Sequence, residues 1–317
     1  MFKFGIMGAG KIAVKFTEAA RMAGCEVAAV ASRSAERAQA FAQANGIAHH
    51  YGSYEDMLRS EQLDCVYIAT VPFSHFELAM LCMEHRMPVI CEKAMFRSLS
   101  EAQTAFARAR EQHTFMMEAL WSKFLPANRK AKCWLDEGRI GAPVFLDMQI
   151  GFTAPKGDDN RYFSAALGGG AALDITVYAY EISAYMMGMR PEITDVQATR
   201  YHTGVDASEQ VSMRAGDCLC TLRTSFVCAV NEGLTILGET GRIVVPHPHY
   251  ANEAFLYDNE GKLLEHFADG TSNGFIYEIE EVVRCVSAGE IESRVQSHED
   301  TIECARLFDS IHAAANT

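Results

Sequence analysis

Two groups of side chains in this sequence have the types and spacing for acid–base chemistry. Glu92-Lys93 follows an apolar run and ends what we predict to be the fourth parallel strand. A lysine in a partly desolvated cleft can hydrogen-bond a substrate oxygen, and its charge favours the anionic form of a nearby tyrosine. Asp174 and Tyr178 follow three glycines at helical spacing, so they would share one helix face. The alternatives are a solvent-exposed salt bridge at Glu92-Lys93 and a packing role for Tyr178.

A glycine turn at the start of the sequence predicts a bound dinucleotide. The apolar run Phe2 to Met7 leads directly into Gly8-Ala9-Gly10-Lys11-Ile12-Ala13, which opens a predicted helix. Gly8 would permit the tight turn, and Gly10 would let the backbone approach a pyrophosphate. The first amide groups of the helix, at Lys11 and Ile12, would then point toward the phosphates.

The end of the second predicted strand favours NADP over NAD. NAD-binding strands end in a carboxylate that binds the ribose hydroxyls, whereas a 2′-phosphate calls for a hydroxyl and a guanidinium. Here the strand ends in Ser32-Arg33, and Arg37 follows one helical turn later. The alternative is that both arginines are solvated surface charges and that NAD is also accepted.

Composition and charge exclude several classes of partner. Of the 317 residues, 28 are Lys or Arg and 41 are Asp or Glu, so the net charge is -13 and the protein repels nucleic acids and anionic lipid surfaces. The sequence opens on a strand without a basic leader, and no run has the length of a membrane span. The 10 cysteines lie mostly in apolar runs, as in proteins of a reducing compartment. We therefore expect a soluble, cytoplasmic protein.

The alternation of predicted elements indicates an α/β fold with two domains. Up to residue 120, unbroken apolar strands alternate with helices, which is typical of a doubly wound parallel sheet of the Rossmann type. From residue 121 to 317, several strands alternate polar and apolar residues, which predicts an α+β domain with a large, mainly antiparallel, open-faced sheet. We expect a nucleotide-binding domain at 1–120 and a substrate-binding and dimerisation domain at 121–317.

These motifs, in their order along nearly the whole chain, resemble the glucose-fructose oxidoreductase/inositol dehydrogenase/rhizopine-catabolism family. The stretches Met117 to Pro126 and His202 to Asp206 are similar to its dimeric dihydrodiol dehydrogenase branch. The resemblance implies catalytic roles for Lys93, Tyr178 and Asp174, and homodimers that pair through the open sheet. The glycine turn and the end of the second strand predict that the cofactor is bound by Gly8, Gly10, Lys11, Ile12, Ser32, Arg33 and Arg37, to which the resemblance adds Thr70, Pro72, His75, Glu92 and Lys93. The resemblance also implies that Trp121, Phe152 and Arg200 contact the substrate.

Two residues depart from the family pattern. Ala94 replaces the proline that usually follows the lysine, which would relax the strand end, and Thr176 replaces the usual glycine before the tyrosine. Neither replacement removes a reacting group. We therefore expect an NAD(P)-dependent oxidoreductase that moves a hydride between nicotinamide and a cyclic diol, sugar or related polyol or carbonyl.

Two other classes of function remain open on the sequence alone. One is a non-catalytic NADP-binding regulator, because a fold does not determine an activity. The other is a metal-dependent enzyme built on His49 and His50 or on His247 and His249, for which the sequence shows no acidic partner. We predict no metal, because a site needs more ligands than either pair supplies.

Overall fold

The chain forms two sheets with different strand arrangements. The computed structural model describes residues 1–315. The earlier elements are β1 (Lys3–Met7), α1 (Lys11–Met22), β2 (Glu26–Ala31), α2 (Ala35–Asn45), β3 (His49–Tyr51), α3 (Tyr54–Ser60), β4 (Cys65–Ile68), α4 (His75–Glu84), β5 (Val89–Glu92), α5 (Leu99–Gln112) and β6 (Met116–Ala119). The later elements are α6 (Pro126–Asp136), β7 (Pro143–Gly151), α7 (Val177–Met187), β8 (Glu192–Arg200), β9 (Asp206–Ala215), β10 (Cys218–Ser225), β11 (Gly233–Gly238), β12 (Gly241–Val245), β13 (Glu253–Asp258), β14 (Leu263–Ala268), α8 (Phe275–Ser287) and α9 (His298–Ala314).

The first sheet is entirely parallel, with the order β3-β2-β1-β4-β5-β6. The residues of β4, β5 and β6 are all buried, which explains the unbroken apolar runs in the sequence. The strand order reverses between β1 and β4, so their carboxyl ends border the position where such sheets bind ligands. The predicted doubly wound parallel sheet is confirmed.

Two strands of this sheet were not predicted from the sequence. They are β6 and the short β3, in which His49 and His50 are exposed. With β3 included, the strand that ends at Glu92 is the fifth parallel strand in chain order. The prediction that it is the fourth strand was wrong. Three residues without an apolar run leave no periodicity to detect.

The helices of the parallel sheet begin in two different ways. The side-chain oxygens of Ser34, Ser53 and Ser98 each accept a hydrogen bond from the amide three residues later, at 3.2, 3.3 and 3.3 Å. These contacts cap α2, α3 and α5. In contrast, the N-cap residue of α1 is Gly10, which has no side chain to cap the helix. The first amide groups of α1 therefore have no capping side chain as an acceptor.

The second sheet has eight strands in the order β14-β13-β12-β11-β7-β10-β9-β8. Its pairs are antiparallel except for β7 with β10. Helix α6 packs against β12 and β13, and α7 packs against β7 and β10. The prediction of a large, mainly antiparallel sheet is confirmed. Among residues 1–315, no helix has the length and apolar character needed to cross a membrane.

The chain divides into two compact units that are not continuous in sequence. The first contains Met1–Trp121 and Asn273–Ile302, and the second contains Ser122–Ser272 and the chain from Glu303 onward. Helix α8 thus belongs to the first unit, in which it packs against α1.

Candidate active site

The glycine turn between β1 and α1 leaves room for a phosphate group. Gly8 has a φ of +113°, and a Cβ added there would lie 2.6 Å from the carbonyl oxygen of Ala69. Gly10 has a φ of -103°, and the nearest atom to an added Cβ would be 3.9 Å away. A side chain is therefore excluded at Gly8 by the protein itself, whereas at Gly10 the space beside the backbone is open. This space, together with the uncapped amides at Lys11 and Ile12, fits a dinucleotide pyrophosphate.

Positive side chains lie at the carboxyl end of β2, as the sequence predicts. Ser32 is buried, and Arg33 and Arg37 are exposed. Burial raises the pKa of Tyr54, and Arg33 and Arg37 lie near enough to oppose that rise. The positive charges of both arginines therefore act on one tyrosine at this end of the strand. The position suits a 2′-phosphate, and Tyr54 is a neighbour that the sequence did not single out.

His75 connects the ends of two strands. Its side chain is fully buried, with Nδ1 lying 2.9 Å from the carbonyl oxygen of Ala94 and Nε2 lying 3.2 Å from that of Thr70. Burial lowers the pKa of His75, so the ring is neutral and donates to one of the two carbonyls. Pro72 opens the short 3-10 turn that precedes α4. These contacts indicate that His75 holds the chain after β4 and β5 in position; its direct contact with a cofactor stays a prediction.

Glu92 is the last residue of β5, and Lys93 follows it directly. The Tyr67 hydroxyl donates a hydrogen bond to Oε1 of Glu92, and burial raises the pKa of this carboxyl group. Lys93 is half-buried, and its peptide bond to Ala94 is cis. Lys93 therefore follows the carboxyl end of a parallel strand, and its contact with a substrate oxygen stays a prediction.

Asp174 and Tyr178 lie on different kinds of helix, so the prediction of one regular α-helix was wrong. Asp174 belongs to a π-helical segment, Ala172–Thr176, and Tyr178 lies in the first turn of α7. A π-helix closes hydrogen bonds over five residues, so its turn is wider than the one that α-helical spacing assumes. The Thr176 hydroxyl donates to Oε2 of Glu209 at 3.0 Å, which anchors this segment to the second sheet.

Arg161 connects Asp174 to a cluster of three aromatic rings. Nη2 of Arg161 lies 2.7 Å from Oδ2 of Asp174, and its guanidinium lies 4.7 Å from the ring centroid of Tyr162. The ring of Phe152 lies 5.6 Å from that of Tyr162 and 5.4 Å from that of Phe226. Phe152 is 37 % exposed, and its role as an aromatic wall for the substrate stays a prediction. Arg161 was missed because a single basic residue in a polar loop gives no pattern.

Trp121 and Arg200 are the other two residues predicted to contact the substrate. Trp121, in the first unit, packs its ring 5.0 Å from that of Phe275. Arg200 is exposed at the end of β8, next to an irregularity in its pairing with β9. Their contact with a substrate stays a prediction.

The histidines considered for a metal have an acidic neighbour that the sequence did not reveal. Nδ1 of His249 lies 2.7 Å from Oε1 of Glu232, and Nδ1 of His247 lies 3.3 Å from Oε2 of the same carboxylate. The expectation of no acidic partner was therefore wrong. Within residues 1–315, no group of three or more His, Cys, Asp or Glu side chains has a geometry that could hold a metal ion.

Comparison with known families and proteins finds matches over both halves of the chain. Residues 2–119 match the model of an oxidoreductase family with an NAD-binding Rossmann fold, GFO_IDH_MocA, and residues 128–244 match the GFO/IDH/MocA C-terminal domain. Among curated proteins, trans-1,2-dihydrobenzene-1,2-diol dehydrogenase of Danio rerio is 33 % identical over 324 residues, which cover 97 % of this chain and 95 % of the relative.

Solved structures share the fold at lower sequence identity. KijD10, a 3-ketoreductase from Actinomadura kijaniata in complex with NADP and TDP-benzene, has a TM-score of 0.86 and 24 % identity, over 99 % of this chain and 97 % of that one. Levoglucosan dehydrogenase in complex with NADH and levoglucosan has a TM-score of 0.88 and 17 % identity over the same shares. One of these neighbours thus holds NADP and the other NADH.

Proposed function

Because the chain belongs to the GFO/IDH/MocA oxidoreductase family, we propose that it is an NADP-dependent dehydrogenase or reductase acting on a CH–OH group of a cyclic diol, sugar or related polyol. The main support is the first unit, in which the open glycine turn and Lys93 lie at the same carboxyl edge of one parallel sheet. The dihydrodiol dehydrogenase of Danio rerio supports a cyclic diol as the substrate class.

The residues present can hold NADP. Gly8, Gly10 and the first turn of α1 would receive the pyrophosphate. Ser32, Arg33 and Arg37 would bind the 2′-phosphate, because a planar guanidinium matches phosphate oxygens. When bound, a nicotinamide nucleotide accepts or donates the hydride.

The side chains proposed for catalysis have distinct tasks. Lys93 would hold the substrate oxygen by a hydrogen bond, and Tyr178 would take the hydroxyl proton during oxidation or return it during reduction. Asp174 would accept a hydrogen bond from a neighbouring substrate hydroxyl. The Asp174 carboxylate contacts Arg161, so this arginine would orient it. Phe152 and Trp121 would contact the ring of the substrate.

A pair of lysine variants tests the proposal. We expect K93M to lower turnover by roughly 10²–10⁴-fold, the usual contribution of a positioned acid–base group, while NADPH binding measured by fluorescence is retained. The control is K262M, which removes an exposed lysine and should leave both quantities unchanged. Undiminished turnover by K93M would contradict the assignment.

Substrates are to be found by following NADPH absorbance with a panel of dihydrodiols, ketoses and diketones. Consumption of NADPH or formation of NADPH from NADP supports an enzyme. Tight NADPH binding without turnover of any compound would favour the non-catalytic regulator instead. Parallel assays with NAD test the preference for NADP over NAD. This preference should be lost in R33A if Arg33 binds the 2′-phosphate.

We also propose a cytoplasmic homodimer. Leu219 and Phe145 are cross-strand neighbours in β10 and β7, and both are exposed, at 45 % and 46 %. A row of exposed apolar side chains on one sheet face is typical of a protein interface. Sedimentation of the wild type as a monomer at micromolar concentration would contradict the dimer. The 10 cysteines are all free thiols, which supports a reducing compartment.

A further inference from the structure

The imidazole of His249 lies beside the ring of Tyr178 and contacts the carboxylate of Glu232. The pairing of two strands brings Glu232 to the turn that contains His249. Strands β11 and β12 are antiparallel, with Leu234 opposite Val245. Continued by two residues beyond this pair, the register sets Glu232 opposite His247. The chain then turns at His247, which has a φ of +47°, into the short 3-10 turn Pro248–Tyr250.

This turn is held against α6 and α7. The carbonyl oxygen of Pro248 accepts a hydrogen bond of 2.7 Å from Nδ2 of Asn128, on α6. The same side-chain amide donates to the carbonyl oxygen of Ser122 at 2.8 Å, and Asn128 is fully buried. The turn also packs directly on α7. The position of His249 is therefore set by a buried contact and does not depend on its own side chain.

The ring of His249 lies beside that of Tyr178 and is the more exposed of the two. Its ring centroid is 5.5 Å from that of Tyr178, with an angle of 40° between the ring planes. Tyr178 is only 8 % exposed, whereas the His249 side chain is 22 % exposed. A phenol that exchanges a proton in each catalytic cycle needs a route for that proton to water. The imidazole beside it is a group that can transfer protons near neutral pH.

Glu232 is suited to hold this imidazole in one orientation. Burial alone would raise the pKa of Glu232, but the contacts with His249 and His247 outweigh burial and leave it below its ordinary value. The carboxylate therefore stays ionised, and at 2.7 Å from Nδ1 it favours a proton on that nitrogen and leaves Nε2 to accept one. The titratable groups around His249 are Glu232, Tyr178 on α7, and His247 and Tyr250 on its own turn.

We propose that His249, held by Glu232, is a positioning residue that passes the proton of Tyr178 to and from solvent. During oxidation the substrate hydroxyl proton moves to the Tyr178 oxygen, then to the His249 imidazole, and finally to water, while the hydride leaves to the nicotinamide nucleotide. Reduction reverses each transfer. This inference rests on the proposed function, because it takes Tyr178 as the acid–base group.

The variants H249N, E232Q, H247N and Y178F test the inference by the pH dependence of kcat in the oxidation direction, with NADP and the panel compound of highest turnover. We expect H249N to lower kcat by about 10–100-fold with KM unchanged, and added imidazole to restore part of the loss. E232Q keeps the shape of the side chain but removes the charge that lies next to Nδ1 of His249, so we expect kcat to fall in the same direction as in H249N, with KM unchanged. H247N is the matched control, because His247 contacts the same carboxylate but its side chain is 52 % exposed; its profile should match the wild type.

The outcomes separate this inference from the proposed function. If Y178F loses turnover while H249N and E232Q keep the wild-type profile, His249 has no part in proton exchange. A rise in KM at constant kcat would also overturn the inference, because it would show a packing role. If Y178F itself keeps full turnover, the proposed function fails first. Should H249N not fold, imidazole rescue of H249G and the E232Q profile decide the question.

Discussion

The two glycines of the first turn should respond differently to alanine, because only Gly8 is crowded by the protein. An alanine at Gly8 would adopt a φ of +113°, which costs about 1–3 kcal/mol for a residue with a Cβ. Its Cβ would lie 2.6 Å from the carbonyl oxygen of Ala69, against 3.4–4 Å for ordinary contact. Relieving such an overlap moves the backbone after β4 and costs roughly another 1–3 kcal/mol.

Alanine at Gly10 meets neither obstacle. Its φ of -103° is allowed, and the nearest atom is 3.9 Å from the added Cβ. The weaker helix cap and the stiffer unfolded chain have opposite effects on stability, so we expect a change within about 1 kcal/mol. The new methyl group, however, would occupy the space proposed for the pyrophosphate.

Thermal unfolding without cofactor and NADPH titration by fluorescence distinguish the two effects. G8A should lower Tm by on the order of 10 °C, because each kcal/mol shifts the Tm of a domain of this size by about 2–4 °C. G10A should keep the wild-type Tm but weaken NADPH binding by roughly tenfold or more, equivalent to about 1.4 kcal/mol. Wild-type affinity in G10A would refute phosphate binding at this turn, and wild-type Tm in G8A would refute the steric argument.

Three further predictions concern stability and thiol reactivity. Hydrogen bonds from Arg284, with a smaller one from Ser293, lower the pKa of Glu281 to about 2 from its ordinary 4.5. The stabilisation is therefore present above pH 4.5 and is lost as the pH falls toward 2, so urea unfolding should find E281Q less stable than wild type at pH 7 and equal to it near pH 2. Nζ of Lys123 lies 2.6 Å from Oε2 of Glu181, and both side chains are buried; K123M should cost about 3–5 kcal/mol and the double variant K123M/E181L much less, since it leaves no buried charge. Equal losses in the two variants would contradict this reasoning. In the folded protein a thiol reagent should modify two cysteines rapidly, as counted by mass spectrometry: Cys133 and Cys228.

Local sequence was sufficient to predict the parallel sheet and the turn at its switch point. Strands β4 and β5 are buried on both faces, so their apolar runs are unbroken, and the glycines of the first turn adjoin β1 directly. These signals depend on neighbours within a few residues of the chain. The roles given to Lys93, Asp174 and Tyr178 remain predictions from motif and resemblance.

Only the tertiary structure decided which distant residues meet. Helix α8 returns from the second half of the chain to pack against α1, and Arg161 reaches Asp174 across a loop. Glu232 meets His249 because two antiparallel strands have one particular register and because a buried amide, Asn128, holds the following turn. A local sequence pattern does not specify the register of two strands or a contact between distant residues. Both depend on how the apolar faces of whole helices and sheets are buried against each other. The sequence by itself therefore determined the kind of sheet and the site of the glycine turn, and folding determined the neighbours of the proposed acid–base residues.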